Sequence, residues 1–182
     1  MVDCHTTTAE DVQIKRVQVT DLENAAYLPR GRCIKGMLPG NDNWRSPEAH
    51  FKGELNKLTD LFSFGVVCIH AILGCVIFGP DKDGVHCLLL SASNVKFSYF
   101  GDQAGIDGLL RHISNDQIGA EVLQMLWEDR NEDNIPYIKF SEWPDVCDAA
   151  FKDLIRGLTC LDPIGRITAH QALQHEWFAD VE

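Results

Sequence analysis

The sequence has little positive charge and lacks the paired cysteines of a zinc site. Its 16 lysines and arginines stand against 27 aspartates and glutamates, a formal net charge of −11, which argues against nucleic acid as the main partner. None of its seven cysteines forms a Cys-x-x-Cys pair, so a structural zinc site is not expected. The odd number of cysteines and the lack of a secretory leader in the first residues indicate reduced thiols, and we expect a cytoplasmic or nuclear location.

One apolar run raises the question of a membrane span. Residues 61–79 carry no formal charge and approach the length of about 20 residues that a transmembrane helix needs. The flanking residues show neither an aromatic belt nor a bias toward lysine and arginine, which favours a helix that is apolar on every side because it is buried on every side. We therefore expect a buried helix at about residues 59–74 and no membrane insertion. Its N-cap candidates are Thr59 and Asp60, and its C-terminal candidates are Gly74 and Gly79.

The rest of the chain has few strand patterns and many helical ones, and its 182 residues suit one domain. Alternating apolar residues over 11–22 predict a short strand pair, or one strand with a turn. Glycines and prolines predict a loop over residues 23–43, whereas residues 80–103 fit either helix or coil. Further helices are predicted near residues 104–113 and 118–129, at 148–160 with Phe151, Leu154, Ile155 and Leu158 on one face, and from Thr168 to about His175.

Four short motifs occur in one order along the chain. Residues 19–25 read VTDLENA, residues 46–48 SPE, residues 59–67 TDLFSFGVV, and residues 158–178 LTCLDPIGRITAHQALQHEWF. In that order they resemble the Asp-Phe-Gly motif, the Ala-Pro-Glu that closes the activation segment, the central Asp-x-Trp-Ser-x-Gly helix and the final helices of eukaryotic protein kinases. Because the motifs cover nearly the whole chain, it is identified as a member of the protein kinase superfamily, of the Ser/Thr type.

The resemblance implies a mainly α fold. The chain would be the C-terminal helical lobe of a protein kinase, with a short β-hairpin near the N-terminus and with the N-terminal lobe absent. Residues 1–182 would form a partial kinase domain, with an activation segment at about residues 21–48, the central buried helix at about 59–74 and the terminal helices at about 148–178.

The resemblance also implies structural roles for four residues. Glu48 and Arg166 would form the buried ion pair that fixes the end of the activation segment to the helical core, and the alternative is that both are ordinary surface charges. Trp44 would pack under the loop that binds the substrate. Asp60 would accept backbone N–H groups of the catalytic loop, a role compatible with capping its own helix.

The cofactor position implied by the resemblance is Asp21, which we take as both the metal-binding and the nucleotide-binding residue. In the family this aspartate holds the Mg²⁺ that bridges to the phosphates of ATP, and its alternative role is a strand-end residue that caps a turn. The glycine of the motif is replaced by Glu23, which lacks glycine's backbone freedom and adds negative charge near the phosphates. ATP and Mg²⁺ are the cofactors of the family, and we expect no thermal shift of this chain alone with Mg·ATP.

Several parts of a working kinase site have no match in the sequence. It contains no Gly-x-Gly-x-x-Gly loop and no His-Arg-Asp-x-x-x-x-Asn catalytic loop, so no catalytic residue is predicted. Between Asp21 and Arg45 there is no serine or threonine, and phosphorylation of such a residue would not switch this chain. We expect a kinase-family domain, for ATP-dependent Ser/Thr protein phosphorylation, that is inactive as this chain alone. The alternative is a non-catalytic interaction module, and in both cases the partner is a protein substrate or partner protein, not nucleic acid or a membrane.

Overall fold

The computed structural model describes residues 2–8, 11–78, 92–130 and 138–179. The chain opens with an antiparallel hairpin of β1 (Val2–Thr8) and β2 (Asp11–Val17), in which Val2 lies opposite Val17. The expected hairpin is therefore present, but it begins earlier than the alternation over residues 11–22 predicted. The reason is that the partner strand is the threonine-rich start of the chain, which carries no apolar alternation of its own.

Helices make up most of the remaining described chain. Short 3₁₀ turns lie at Leu22–Asn24, Phe140–Glu142 and Glu176–Phe178. The α-helices are α1 (Pro47–His50), α2 (Lys57–Leu73), α3 (Ala92–Phe100), α4 (Gln103–His112), α5 (Gln117–Glu128), α6 (Ala149–Leu158) and α7 (Ala169–Leu173).

The helices predicted near residues 104–113 and 118–129 are confirmed as α4 and α5. The predicted apolar face of α6 is also confirmed, because all four of its members are buried. Thr168 caps α7 as expected, but that helix ends at Leu173, before the predicted His175. The backbone from residue 176 instead forms a 3₁₀ turn, for which the His175 ring accepts the N–H of Trp177 at 3.2 Å.

The N-cap of α2 is neither of the two predicted residues. Asn56 caps the helix: its side-chain oxygen accepts the N–H of Leu58 at 2.8 Å, and its own N–H donates to the Thr59 hydroxyl at 3.3 Å. The prediction failed because Thr59 takes the reciprocal position of a capping box, one turn into the helix, so its hydroxyl resembled a cap in the sequence. At the other end, Gly74 adopts φ 68° and terminates the helix, as predicted.

The prediction that α2 is buried on every side was wrong. Phe62, Val66 and Ile69 are buried, whereas Phe64 is 44% and Val67 45% exposed. Packing neighbours lie mainly on one side, where α6 comes so close that a Cβ on Gly65 would stand 2.9 Å from the Thr159 methyl group. Within the described residues, no helix has both the length and the apolar character to cross a membrane.

The buried core consists of two clusters that share α2. One gathers Phe62 and Val66 of α2 with residues of α3, α4 and α5, and the other gathers Ile69 of α2 with the apolar face of α6. The buried face of the helix therefore contributes residues to both parts of the core. Five cysteines of the described part, at 33, 68, 75, 147 and 160, are free thiols, and the cytoplasmic or nuclear location stays a prediction.

Candidate functional site

The segment between the hairpin and α2 ends in a buried ion pair. The guanidinium of Arg166 donates from Nη1 to Glu48 Oε1 at 2.8 Å and from Nη2 to Oε2 at 3.0 Å. The side chains are 0% and 1% exposed. Burial by itself would raise the pKa of Glu48, but the positive charge and hydrogen bonds of Arg166 hold the pKa below its ordinary value. The structure thus brings together the two residues expected to pair, and it places both out of contact with water.

The same guanidinium ties the segment to two further parts of the helical core. Nη1 also donates to the carbonyl of Leu58 in the first turn of α2 at 2.7 Å, and Nε donates to the carbonyl of Cys160 after α6 at 3.0 Å. Glu48 itself is positioned by α1, which has Pro47 in its first turn, where a missing N–H costs nothing. Because one buried arginine joins three chain segments, the end of the segment has a single position relative to the core.

Lys96 of α3 forms a second buried contact to the segment that sequence reasoning missed. Its side chain is 0% exposed, and its Nζ donates to the carbonyls of Asp42 at 2.6 Å and Arg45 at 2.7 Å. The third neighbour is His50 Nε2 at 3.1 Å. Lys96 lies among residues 80–103, whose pattern was ambiguous. The sequence signal that could have indicated its burial is its position between the apolar residues Val95 and Phe97.

Burial sets unusual protonation behaviour for this cluster. Burial and the nearby charge of Arg45 lower the pKa of Lys96 to about 7. Burial, and then the charges of Lys96 and Arg45, lower the pKa of His50 to about 3. When Lys96 is protonated, its ammonium group only donates, so the His50 ring then accepts at Nε2 and carries its proton on Nδ1. A neutral histidine is therefore part of the contact between α3 and the segment.

Arg45 shapes the turn just before this contact. Its Nε donates to the carbonyl of Pro39 at 2.9 Å, its Nη2 donates to that of Gly40 at 2.7 Å, and its Nη1 pairs with the Asp42 carboxylate. Carbonyl groups that would otherwise need water thus receive fixed donors from a side chain. Together, Arg45 and Lys96 fix the backbone of residues 38–46, a polar turn whose sequence alone indicated only a loop.

Trp44 lies in this turn and contacts the core. Its ring meets that of His70 on α2 edge to face, with centroids 5.6 Å apart and planes at 84°. It also packs against the core cluster that contains Phe62. The tryptophan therefore seats the turn on α2, and Ser46, at the end of the turn, is fully buried.

Asp21, at the other end of the segment, is in an entirely different environment. Its backbone adopts the left-handed conformation, with φ 61° and ψ 50°, ahead of the 3₁₀ turn, and its side chain is exposed. Aspartate tolerates this conformation better than most residues, and such outliers concentrate at functional sites. The carboxylate makes no hydrogen bond to its own turn, so the alternative that it caps a turn finds no support.

The fit of Asp21 to Mg²⁺ is partial. A carboxylate oxygen is the right type of ligand for this ion, and Glu23, also exposed, follows two residues later. The described residues contain no group of three or more His, Cys, Asp or Glu side chains able to hold a metal ion. Asp21 would supply one ligand, with the phosphates and water completing the octahedron.

Asp60 is exposed in the first turn of α2. Partial burial of the carboxyl group raises its pKa, and its negative charge near the N-terminus of the helix is favourable. It accepts no hydrogen bond from the described residues, and Asn56 takes the capping position. The structure therefore leaves Asp60 outside the network that joins Glu48 and Arg166.

The relatives of this chain are protein kinases. The sequence pattern of the family described as "Protein kinase domain" matches residues 7–178. Calcium-dependent protein kinase 24 of Oryza sativa subsp. japonica is 50% identical over 38 residues, which is 21% of this chain and 7% of that protein. Human calcium/calmodulin-dependent protein kinase type IV is 31% identical over 114 residues, 60% of this chain and 20% of that protein.

A solved structure shows the same fold. A MAP kinase from Leishmania major superposes with a TM-score of 0.59 at 20% sequence identity, over 78% of this chain and 38% of that one. The present chain thus corresponds to only a part of the kinases that it matches. With the family pattern extending from the first strand to the last 3₁₀ turn, the chain belongs to the protein kinase family.

Proposed function

We propose that this chain is the C-terminal helical lobe of a Ser/Thr-type protein kinase domain, and that it does not transfer phosphate by itself. The observation that carries the proposal is the buried pair of Glu48 and Arg166. It closes a segment whose two ends carry the Asp-Leu-Glu and Ser-Pro-Glu motifs. In such a lobe the segment would face a protein substrate or a partner protein.

The lack of phosphate transfer follows from what the reaction requires. Phosphoryl transfer is mostly positioning and charge stabilisation, so nucleotide, metal, base and acceptor have to be held together. This sequence has neither the glycine-rich loop nor the catalytic-loop motif. Asp21 is left as a single exposed carboxylate, and Glu23 adds a charge that repels a triphosphate.

The test is an assay of the purified chain for nucleotide binding and phosphate transfer. We expect no change in Tm with Mg·ATP and no incorporation of labelled phosphate into casein or into the chain itself. The matched variant is Asp21→Asn, which removes the charge but keeps a residue that tolerates the left-handed backbone. Activity that survives purification and is lost in Asp21→Asn would disprove the proposal.

The second candidate is a non-catalytic interaction module. It is favoured by the fixed turn at residues 38–46, because Arg45 and Lys96 hold that turn through contacts within the chain. The coding sequence upstream distinguishes the two candidates. An in-frame His-x-Asp-x-x-x-x-Asn motif and a β-rich lobe would indicate an enzyme of which this is one part. Transcripts that encode only these residues would favour the interaction module.

A further inference from the structure

A cleft of about 340 Å³ opens between the end of α3, the 3₁₀ turn Phe140–Glu142 and α6. None of its lining residues belongs to the segment from Asp21 to Glu48. Its volume is within the range of sites that hold a small ligand or a few side chains. The kinase-like site described above therefore does not account for it.

One wall of the cleft is aromatic and firmly supported. Tyr99, Phe100 and Phe140 line it. Tyr99 meets Trp143 edge to face with ring centroids 4.8 Å apart, and Phe140 meets the same tryptophan at 5.1 Å. The rings of Phe100 and Phe140 also pack together, with centroids 6.1 Å apart. Because these rings support one another, an apolar side chain would find a preformed surface and would not have to order it.

The two acidic residues of the cleft are already engaged. Asp153 pairs with Arg156 and also meets the His175 ring at 3.1 Å. Asp102 caps α4, where its carboxylate accepts a backbone N–H at 2.7 Å. The charges of Asp153 and Arg156 offset each other. Asp102 keeps one negative charge, because its partner is a neutral backbone N–H. With the two lysines counted, the residues that line the cleft carry a formal charge of +1.

Neither lysine of the cleft pairs with a carboxylate in the described part of the chain. The Nζ of Lys152 donates to the carbonyls of Ser141 at 2.8 Å and Trp143 at 2.9 Å, which leaves its third N–H without an acceptor among the described residues. Lys139 is exposed at the edge of the cleft. In a chain of net charge −11, a cleft whose lining residues carry a formal charge of +1 is complementary to an anionic ligand.

We propose that this cleft is a docking site for an acidic peptide segment of a partner protein. The segment inserts one aromatic or aliphatic side chain against Tyr99, Phe100 and Phe140, and its neighbouring carboxylates meet Lys139 and the free N–H of Lys152. The aromatic wall supplies the apolar contact, and the two lysines select the charge. The site does not depend on nucleotide or on Asp21, so it serves an active kinase and a non-catalytic module equally.

The test uses three fluorescein-labelled peptides and the intact chain, with binding followed by fluorescence polarisation at low salt. The probe is acetyl-Asp-Glu-Phe-Asp-Glu, and the comparators replace its Phe with Ala or its four acids with Lys and Arg. We expect both comparators to bind at least about 10-fold more weakly than the probe. The Lys139→Glu variant should weaken the probe by about 5-fold, and the matched charge reversal Lys15→Glu, on β2, by less than about 2-fold.

The Lys152→Met variant adds a second measurement, with its fold checked by circular dichroism. It keeps an apolar stem of similar length but removes the ammonium, and the probe should bind at least about 5-fold more weakly. Equal effects of Lys139→Glu and Lys15→Glu would overturn the proposal, because they would reflect net charge alone. Equal binding of the Phe and Ala peptides, or of the acidic and basic peptides, would overturn it too, as would no binding of the probe.

Discussion

The two ends of the segment from Asp21 to Glu48 are held in opposite ways. At Glu48 the carboxylate is buried and paired, with its side chain 1% exposed against Arg166. At Asp21 the side chain is exposed, and its backbone alone is unusual, with φ 61°. The buried charges therefore lie at the end where the segment joins the helical core. The end with the candidate ligand for Mg²⁺ is left in solvent.

The difference shows which end of the segment sets its position and which end is available to a ligand. A buried ion pair adds little net stability compared with apolar residues of the same volume, but it penalises any arrangement that leaves a charge unpaired. It is therefore suited to fixing one geometry. An exposed carboxylate pays no such desolvation cost, and it remains available to a ligand. Stability and ligand binding should consequently be separable by mutation at the two ends.

The largest effect is expected from Arg166→Ala. The change leaves the Glu48 carboxylate buried without its partner, so it should lower the free energy of unfolding by about 3–5 kcal/mol. Urea denaturation followed by tryptophan fluorescence measures the change. The control is Arg111→Ala, which removes a 71% exposed arginine that lies 3.7 Å from Asp162 and should cost less than about 1 kcal/mol. Equal losses in the two variants would show that Glu48 and Arg166 do not anchor the segment.

The ion pair at the buried end was predicted from a family resemblance and not from a local sequence pattern. Glu48 and Arg166 lie 118 positions apart, and only the resemblance to protein kinases related them. The helices α4, α5 and α6 needed no resemblance, because their apolar periodicity and their capping aspartates are local signals. Local signals failed for α2. Its uniform apolar character suggested burial on every side. The composition of a helix does not show which of its faces have packing neighbours, and Phe64 is exposed.

The contacts of residues 38–46 were beyond sequence reasoning. Arg45 and Lys96 donate to backbone carbonyls, and a carbonyl acceptor has no residue type that a pattern could show. The tertiary fold also has to bring α3 onto the turn before Lys96 has any acceptor. The resemblance to protein kinases related Glu48 to Arg166, but it gave no indication of the neutral acceptors of Lys96.

A smaller loss of stability is expected from Lys96→Met. The substitution relieves a buried charge, but it leaves the carbonyls of Asp42 and Arg45 without their donor, for a net cost of about 2 kcal/mol. The effect should be local as well, with faster trypsin cleavage after Arg45 than in the wild-type chain. Lys57→Met, at an exposed position of α2, is the matched control and should leave both properties unchanged. Unchanged cleavage in Lys96→Met would contradict a role in holding the turn.

The next effect is a dependence of stability on pH. The pKa of His50 is about 3 in the folded chain against an ordinary 6.5, so between these values the unfolded chain binds a proton that the folded chain lacks. The free energy of unfolding therefore falls as the pH is lowered from about 6.5, by at most about 1.4 kcal/mol per pH unit. Between pH 5 and pH 6.5, Lys96, whose folded pKa is about 7, is largely charged in both states. Glu48, whose pKa is lowered from an ordinary 4.5, makes its own contribution to acid sensitivity mainly below this range.

Urea midpoints between pH 5 and pH 6.5 measure this slope. His50→Gln is the matched variant, because an amide oxygen still accepts from Lys96 but takes up no proton in this range. We expect a flatter dependence in the variant than in the wild-type chain. The same slope in both would mean that His50 does not titrate on unfolding, and that other groups cause the acid sensitivity.

The smallest effect is expected at the exposed end, from Asp21→Asn. Asparagine has nearly the same shape as aspartate and also tolerates the left-handed backbone, so no strain is added. The carboxylate makes no side-chain hydrogen bond to its turn, and the free energy of unfolding should change by less than about 0.5 kcal/mol. Asp21→Ala is a useful contrast, because the same backbone conformation is costly for alanine. A loss of 2 kcal/mol or more in Asp21→Asn would show that the carboxylate has a structural role, and the contrast between the two ends of the segment would then be wrong.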